Sequence, residues 1–347
     1  MVPLRYEPYR PERNPADLIL VGGAAPAALH LSHWPGNATP PPLTADTSLE
    51  SVLKFLNLKT ARRETFRRGA GIVTSPAFGV DALLAVWALL APHRAQGFTG
   101  PLQAVAFSAE YAVVVFPEAT RICCALNRLG DADRSPLRDE FGGADAWERL
   151  GAVFRALLPR LDEVFGSVDR FEADWREEVA AIQSDRELLT RGAATVEEFP
   201  EVDLAVVRAP RPLHPAARNT ATERLRILTI TGGSLYEFAY RAETWAAFAS
   251  RPVAPRIDLE PLLPALQAMD SAGAWRWDGL ARRTPSLHCA DAAGRPAPSA
   301  IPPDRLLALL REYLAAHAAD AALHWNPRSP HPELALGVPG SRFPVPD

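Results

Sequence analysis

The chain is short of several residue types, and each shortage excludes something. Cysteine is scarce: three in 347 residues, two of them adjacent at Cys123 and Cys124. Three cysteines so placed make neither a disulfide framework nor the spacing of a zinc site. The adjacent pair sits in an apolar helical stretch and reads as packing. A reducing compartment is expected, and with it a cytoplasmic location. Long apolar runs are missing. The longest, Ala82 to Ala91, falls well short of the ~18 residues a membrane span needs, so no membrane partner is expected. The charged, Pro-rich start from Met1 to Pro15 has no apolar core of a signal peptide. Lysine is nearly absent: only Lys54 and Lys59 occur among 37 cations. Genome composition explains an Arg excess; anion recognition is the functional alternative, because Arg grips phosphate or carboxylate in a fork. The net charge of −4 argues against a nucleic-acid binder, which carries a basic face. No Gly-rich phosphate loop, nucleophile elbow or His-Glu-x-x-His is found. Gly22-Gly23 after the first apolar run is too short to count as a dinucleotide fingerprint.

What is present is a globular composition, 48% hydrophobic, with an abundance of proline at 34 residues. That is roughly twice the usual share and implies stiff loops. Asp17 to Gly22 reads as a buried strand, and Ala28 to His33 as another. Thr47-Ser48-Leu49-Glu50 fits a capping box, which predicts a helix from about Ser48 to Arg62. Gly71 to Ser75 is the next strand, Pro76 to Val80 a loop, and Asp81 to Ala91 a helix apolar on all sides and therefore buried. Strand, short loop and buried helix form the unit of a parallel α/β sheet. Ligands of such sheets sit at the carboxyl ends of the strands, which makes the loop at 76–81 the expected site.

Two apolar stripes follow, one through Trp147, Leu150, Phe154, Leu157, Leu158 and Leu161, the other through Phe171, Trp175, Val179 and Ile182. The break at Gly166-Ser167 between them predicts a helical hairpin. Strands are then expected at Val202–Val207, Leu225–Ile230 and Leu235–Arg241. The last two flank the hairpin signal Thr231-Gly232-Gly233-Ser234, and a helix is expected from Pro303 to Ala319. The fold class is therefore α/β: a mainly parallel N-terminal sheet with helices, a helical hairpin, and a C-terminal α+β region. The expected divisions are 1–195, 196–325 and a Pro-rich tail at 326–347.

The segment Leu31-Ser32-His33-Trp34-Pro35-Gly36-Asn37, with Thr39-Pro40 and Asp46-Thr47-Ser48, resembles the N-terminal signature of an uncharacterised bacterial family, one of the domains of unknown function. The likeness continues through the strand and loop at 71–90, Arg134-Ser135-Pro136-Leu137, the run Glu198 to Leu204, Leu213-His214-Pro215, Tyr240 to Trp245, and Arg251 to Leu259, covering most of the chain in order. In that family the central loop typically looks like Asn-His-Phe-Asp-x-Asp-Gly, which in turn looks like the first motif of the DHH phosphoesterases. There, His and Asp residues hold Mn²⁺-type ions that activate water against a phosphate ester. Hard divalent ions favour such carboxylate and imidazole donors. In this chain the loop is Pro76-Ala77-Phe78-Gly79-Val80-Asp81-Ala82. Ala77 replaces the His, Gly79 the first Asp and Ala82 the Gly, so only Asp81 remains. Ser108-Ala109-Glu110-Tyr111 stands where the family has Ala-Gly-Asp-Phe. No Asp-His-His triplet occurs.

Asp81 is therefore either a surviving ligand or catalytic acid, or a carboxylate stabilising a helix start. His33 and Asp46 flank the Pro-rich loop and could act as acid and base or bind metal; alternatively His33 fixes the Trp34-Pro35-Gly36 turn and Asp46 serves the helix start. The Asp81, His33 and Asp46 side chains are the expected catalytic set, and the same three are the ligands of a Mn²⁺ or Mg²⁺ ion if one is retained. Glu110, His214, Arg241, Arg251 and Arg256 are candidates for binding a small anionic molecule. Glu110 is expected to be exposed, His214 has a structural alternative, and the arginines have carboxylate partners such as Glu243 and Asp258 within sequence reach. The expected function is that of a repurposed relative of a DHH-like hydrolase, with room for a tailoring role in a specialised biosynthetic pathway. The alternatives are a non-catalytic ligand-binding or scaffold protein, and a phosphoesterase with an altered ligand set. Homo-oligomer formation stays open.

Overall fold

The computed structural model describes residues 3–328; most of the expected Pro-rich tail lies outside them. The chain divides into two compact units. One holds residues up to Ala180 together with Ala246–Pro252, the other Ala181–Trp245 and Val253–Pro327.

In the first unit the strands are β1 (Arg5–Tyr6), β2 (Leu18–Val21), β3 (Leu29–Leu31) and β4 (Ile72–Thr74). They form a four-stranded sheet in the order β1-β4-β2-β3, and every pairing is parallel. Leu18, Ile19, Leu20 and Val21 are all buried, the continuous apolar pattern expected of a strand covered on both faces. Around the sheet run α1 (Ser48–Leu56), α2 (Thr60–Arg67), α3 (Val80–Leu90), α4 (Pro92–Gly97), α5 (Thr99–Tyr111), α6 (Pro117–Leu129), α7 (Ala146–Leu157) and α8 (Leu161–Gly166). Helix α9 (Glu172–Thr190) begins in this unit and ends in the other.

The helix expected over 48–62 is two helices. Asn57 closes α1, and α2 starts only at Thr60. Strand β1 falls in a start too polar and too short to announce itself; its parallel pairing with β4 defines it. The break predicted at Gly166-Ser167 is present between α8 and α9.

Helix α3 is the centre of this unit. Every residue from Val80 to Leu89 is buried, and α3 packs against α1 and α5. Trp87 stacks on Phe165 with centroids 6.0 Å apart. Complete burial of a Leu side chain contributes about 1.5–3 kcal/mol, so this helix anchors whatever its first turn carries. Its approach to β2 depends on Gly22. That residue has φ +60°, and a Cβ there would lie 2.9 Å from the Ala82 Cβ.

The second unit contains β5 (Thr195–Phe199), β6 (Leu204–Ala209), α10 (Pro215–Thr220), β7 (Arg226–Thr231), β8 (Leu235–Tyr240), β9 (Arg256–Ile257), α11 (Leu263–Met269), β10 (Ala274–Trp277), β11 (Ser286–Ala290), α12 (Pro303–Ala316) and β12 (His324–Trp325). Its six-stranded sheet has the order β10-β11-β8-β7-β6-β5. Strands β6 and β7 run parallel across α10, and the other pairings are antiparallel. The β7–β8 hairpin turns where Gly232-Gly233 takes positive φ. One side of the sheet packs with Leu306, Leu310 and Leu314 of α12, and the other with Leu188 and Leu189 of α9.

Asp270 closes the edge of this sheet. Its carboxylate accepts from Trp275 Nε1 at 2.9 Å and Ser299 Oγ at 2.6 Å, and from the Ala272 and Ala300 amides. Burial opposes ionisation, but these donors outweigh it and hold the carboxyl below the usual range.

Two outcomes follow. Gly22→Ala combines left-handed strain with a clash and should cost about 1–3 kcal/mol, measurable by chemical denaturation. Asp270 has a depressed folded pKa, so its stabilisation is present above the unfolded value of about 4 and is lost as pH falls through the folded value. Asp270→Asn should therefore lower stability at pH 7 by about 2–3 kcal/mol, and the gap from the parent protein should narrow on acidification.

Candidate functional site at the carboxyl ends of the parallel sheet

Strand β3 ends at Leu31, and the chain turns at once. Ser32 Oγ accepts from the Gly23 and Trp34 amides. Ser32 and Thr39 bond each other twice, at 2.9 and 2.8 Å. Asn37 donates to the Trp34 carbonyl and accepts from the Thr39 amide, and Gly36 takes φ +71°. The Ser-His-Trp-Pro-Gly-Asn-x-Thr run is thus a self-bonded loop whose effect is to fix His33 beyond the strand end.

The capping box forms with one displacement. Thr47 Oγ1 accepts from the Glu50 amide at 3.1 Å, while Glu50 reaches back to the Asp46 amide rather than that of Thr47. This leaves the Ser48 and Leu49 amides at the start of α1. Both donate to Asp81, to Oδ2 and Oδ1 respectively, each at 2.9 Å. Asp81 stands in the first turn of α3, yet the helix start it caps is that of α1. One buried carboxylate satisfies two orphan donors of a neighbouring helix.

His33 completes the group. Its Nδ1 lies 3.0 Å from Ser48 Oγ and 3.7 Å from Asp81 Oδ2, and its Nε2 lies 2.9 Å from Glu110 Oε1. Glu110 comes from the last turn of α5. It is buried at 7% exposure, which corrects the expectation of an exposed acid. An α5 running Thr99–Tyr111 turns that position inward, onto His33. Ser48 is 0% exposed, His33 1% and Asp81 2%. Burial pushes the Asp81 carboxyl above the usual range; His33 opposes the rise and Glu110 adds to it.

His33, Asp81 and Glu110 offer one imidazole and two carboxylates whose ligand atoms lie within 4.8 Å of one another, the one such group among the described residues. These donors suit a single Mn²⁺ or Mg²⁺ ion. Three ligands fall short of the roughly four to six that a two-ion centre uses.

The other sequence candidates are placed as follows. Asp46 is buried but stands outside this group: its Oδ1 accepts from the Ala249 and Ser250 amides at 2.7 and 2.9 Å, and its carbonyl accepts from Tyr111 Oη. His214 caps α10 by accepting the Ala216 amide. Arg241 pairs with Glu243 and donates to the Asn219 and Thr222 carbonyls. Arg256, fully buried, donates to Thr244 Oγ1 and to the carbonyls of Leu280, Arg282 and Arg283; burial lowers its pKa to about 9. Asp258, its suggested partner, instead accepts from Trp277. Arg251 is exposed and lies over the Phe248 ring. Sequence reasoning missed Ser48 as a partner of His33. Its signal lies in the Asp46-Thr47-Ser48 segment, whose pattern by itself points only to a helix start.

Asp81→Asn should destabilise the protein by about 2–4 kcal/mol, because the amide would set an NH₂ donor against a backbone N–H. Ser48→Ala, which keeps both backbone bonds to Asp81, should cost about 1 kcal/mol. Urea denaturation of the two variants separates these values.

No curated protein and no solved structure matches the chain. A family model described as a family of unknown function, DUF6687, matches residues 2–325, so that, over nearly its whole length, the chain belongs to the DUF6687 family.

Proposed function

We propose that the first unit is a hydrolase-like module, related in chemistry to the DHH phosphoesterases, whose working centre is His33, Asp81 and Glu110. The observation that carries this reading is the grouping of donors. One imidazole and two carboxylates meet in a closed interior with their ligand atoms within 4.8 Å of one another, and burial and the Glu110 charge both raise the Asp81 carboxyl against the pull of His33. A shared proton or a bound cation relieves two carboxylates held that close. Buried acids perturbed in this way cluster at functional sites.

The residues divide into roles. Asp81 and Glu110 supply hard oxygen donors and His33 a nitrogen donor. A bound Mn²⁺ or Mg²⁺ would lower the pKa of a coordinated water and offset the charge of an anionic ester. His33 sits between Ser48 on Nδ1 and Glu110 on Nε2, so the imidazole can take a proton on one side while Glu110 orients the ring and offsets its charge. The α1 start, through Asp81, fixes where Ser48 stands.

A second reading has its own support. Both Asp81 oxygens already accept α1 amides, and Ser48 is fully buried. On that reading the group is a polar clamp joining α1, α3 and α5, and the protein is a non-catalytic ligand-binding or scaffold protein.

Titration calorimetry with MnCl₂ and MgCl₂, together with hydrolysis of p-nitrophenyl phosphate, separates the two. The hydrolase reading expects one saturable metal site per chain and metal-dependent turnover, with both reduced at least tenfold in Glu110→Gln. The absence of metal binding in a folded parent protein, with Glu110→Gln lowering only the melting temperature, would sink the hydrolase reading and leave the clamp.

A further inference from the structure

Outside the His33 group the first unit has a cleft of about 460 Å³ between β3 and α2. Its lining is uneven. Leu29, Pro40 and Phe66 give it apolar walls, and Arg62, Arg68 and His30 also line it. Among the described residues neither arginine has a carboxylate partner. Arg62 lies over the Phe66 ring, with Cζ 4.9 Å from the centroid, and among the described residues neither guanidinium makes a side-chain hydrogen bond. Most arginines described in this chain have found acceptors, so two unpaired guanidiniums on one small cleft stand out.

His30 adds a fixed donor. It is buried, and its Nδ1 accepts the Ala38 amide at 3.3 Å. Burial lowers its pKa, which keeps the ring neutral near pH 7 and leaves the proton on Nε2. Arg68 also occupies an unusual backbone position: it closes α2 with φ +51°, a conformation that Gly adopts with less strain. The next residue, Gly69, has space around it, so the left-handed turn is not forced by crowding there.

We propose that this cleft binds a small organic anion, a phosphate monoester or carboxylate with an apolar body of about one aromatic ring. The anionic group would meet Arg62 and Arg68, and the body would lie against Phe66, Pro40 and Leu29. The volume falls within the range of small-molecule sites, and two guanidiniums suit a group with two or three oxygens. This inference goes beyond the proposal for His33, Asp81 and Glu110 and does not rest on it, because none of those three residues lines the cleft.

Calorimetry on the full chain in metal-free buffer tests it, with phenyl phosphate, 3-phenylpropionate, inorganic phosphate and phenol as probes. At least one of the two aromatic anions should bind saturably, inorganic phosphate more weakly, and phenol not measurably. A preference for phenyl phosphate over phenylpropionate, or the reverse, identifies the ester or the acid as the natural class. Arg62→Gln and Arg68→Gln, both at exposed positions, should each weaken binding by roughly tenfold to a hundredfold with unchanged circular dichroism. Arg186→Gln, an exposed charge on α9, should leave it unchanged. No saturable binding of either aromatic anion, or binding that survives both cleft substitutions, would overturn the proposal. Because no metal is present, failure of the metal site cannot imitate that result.

Discussion

Asp81 is the constraint on which the first unit turns. Its carboxylate is buried in the first turn of α3 and accepts the two opening amides of α1. Each bond to an ionised acceptor contributes about 1.5–3 kcal/mol, and loss of the acceptor would leave two buried donors unsatisfied. The positions of Ser48, and through Ser48 of His33, follow from those two bonds. Burial works against the carboxylate even as the amides hold it, so the same residue that orders α1 is also a charge its surroundings disfavour. This tension is the physical reason to connect Asp81 with chemistry as well as with structure.

Much of this was legible in the sequence, and the failures have physical causes. Periodicity and capping signals locate β2, β4, α3 and the start of α1, because burial on both faces and an N-terminal Thr-x-x-Glu are local properties. The division between α1 and α2 is not marked by Gly or Pro; it depends on Asn57 ending one helix before Thr60 starts the next. The expectation of an exposed Glu110 fails because a carboxylate alone says nothing about which face of its helix turns inward. That depends on where His33 stands, and His33 is set by a loop far away in sequence.

The candidate set also shows how residue type outruns residue role. Asp46 stands near His33 in the signature, but its Oδ1 holds the backbone of residues 249–250. Arg241 and Arg256 read as anion binders by composition, whereas their donors go to Glu243 and to backbone carbonyls. A buried guanidinium whose every nitrogen has an acceptor is a structural bolt. Arg62 on α2 and Arg68 at its end have no carboxylate partner among the described residues, and nothing in the local pattern distinguishes such an arginine from a paired one.

The loop after β3 joins both parts of the unit. Its residues Ser32 and Thr39 lock each other and fix His33. Its Ala38 amide bonds His30, and Pro40 walls the cleft beside α2. One short loop therefore sets the His33 group at one end and the cleft wall at the other. Proline on either side of Gly36 and Asn37 stiffens it, so a shift at Pro40 would pass to Ser32 through two hydrogen bonds rather than dissipate in the loop. Within the Ser-His-Trp-Pro-Gly-Asn run only His33 carries a titratable group, and the other side chains and turns hold it in place. The run is a positioning device, and its value lies in holding two histidines, His30 neutral and His33 between carboxylates, in different surroundings at the end of the same strand.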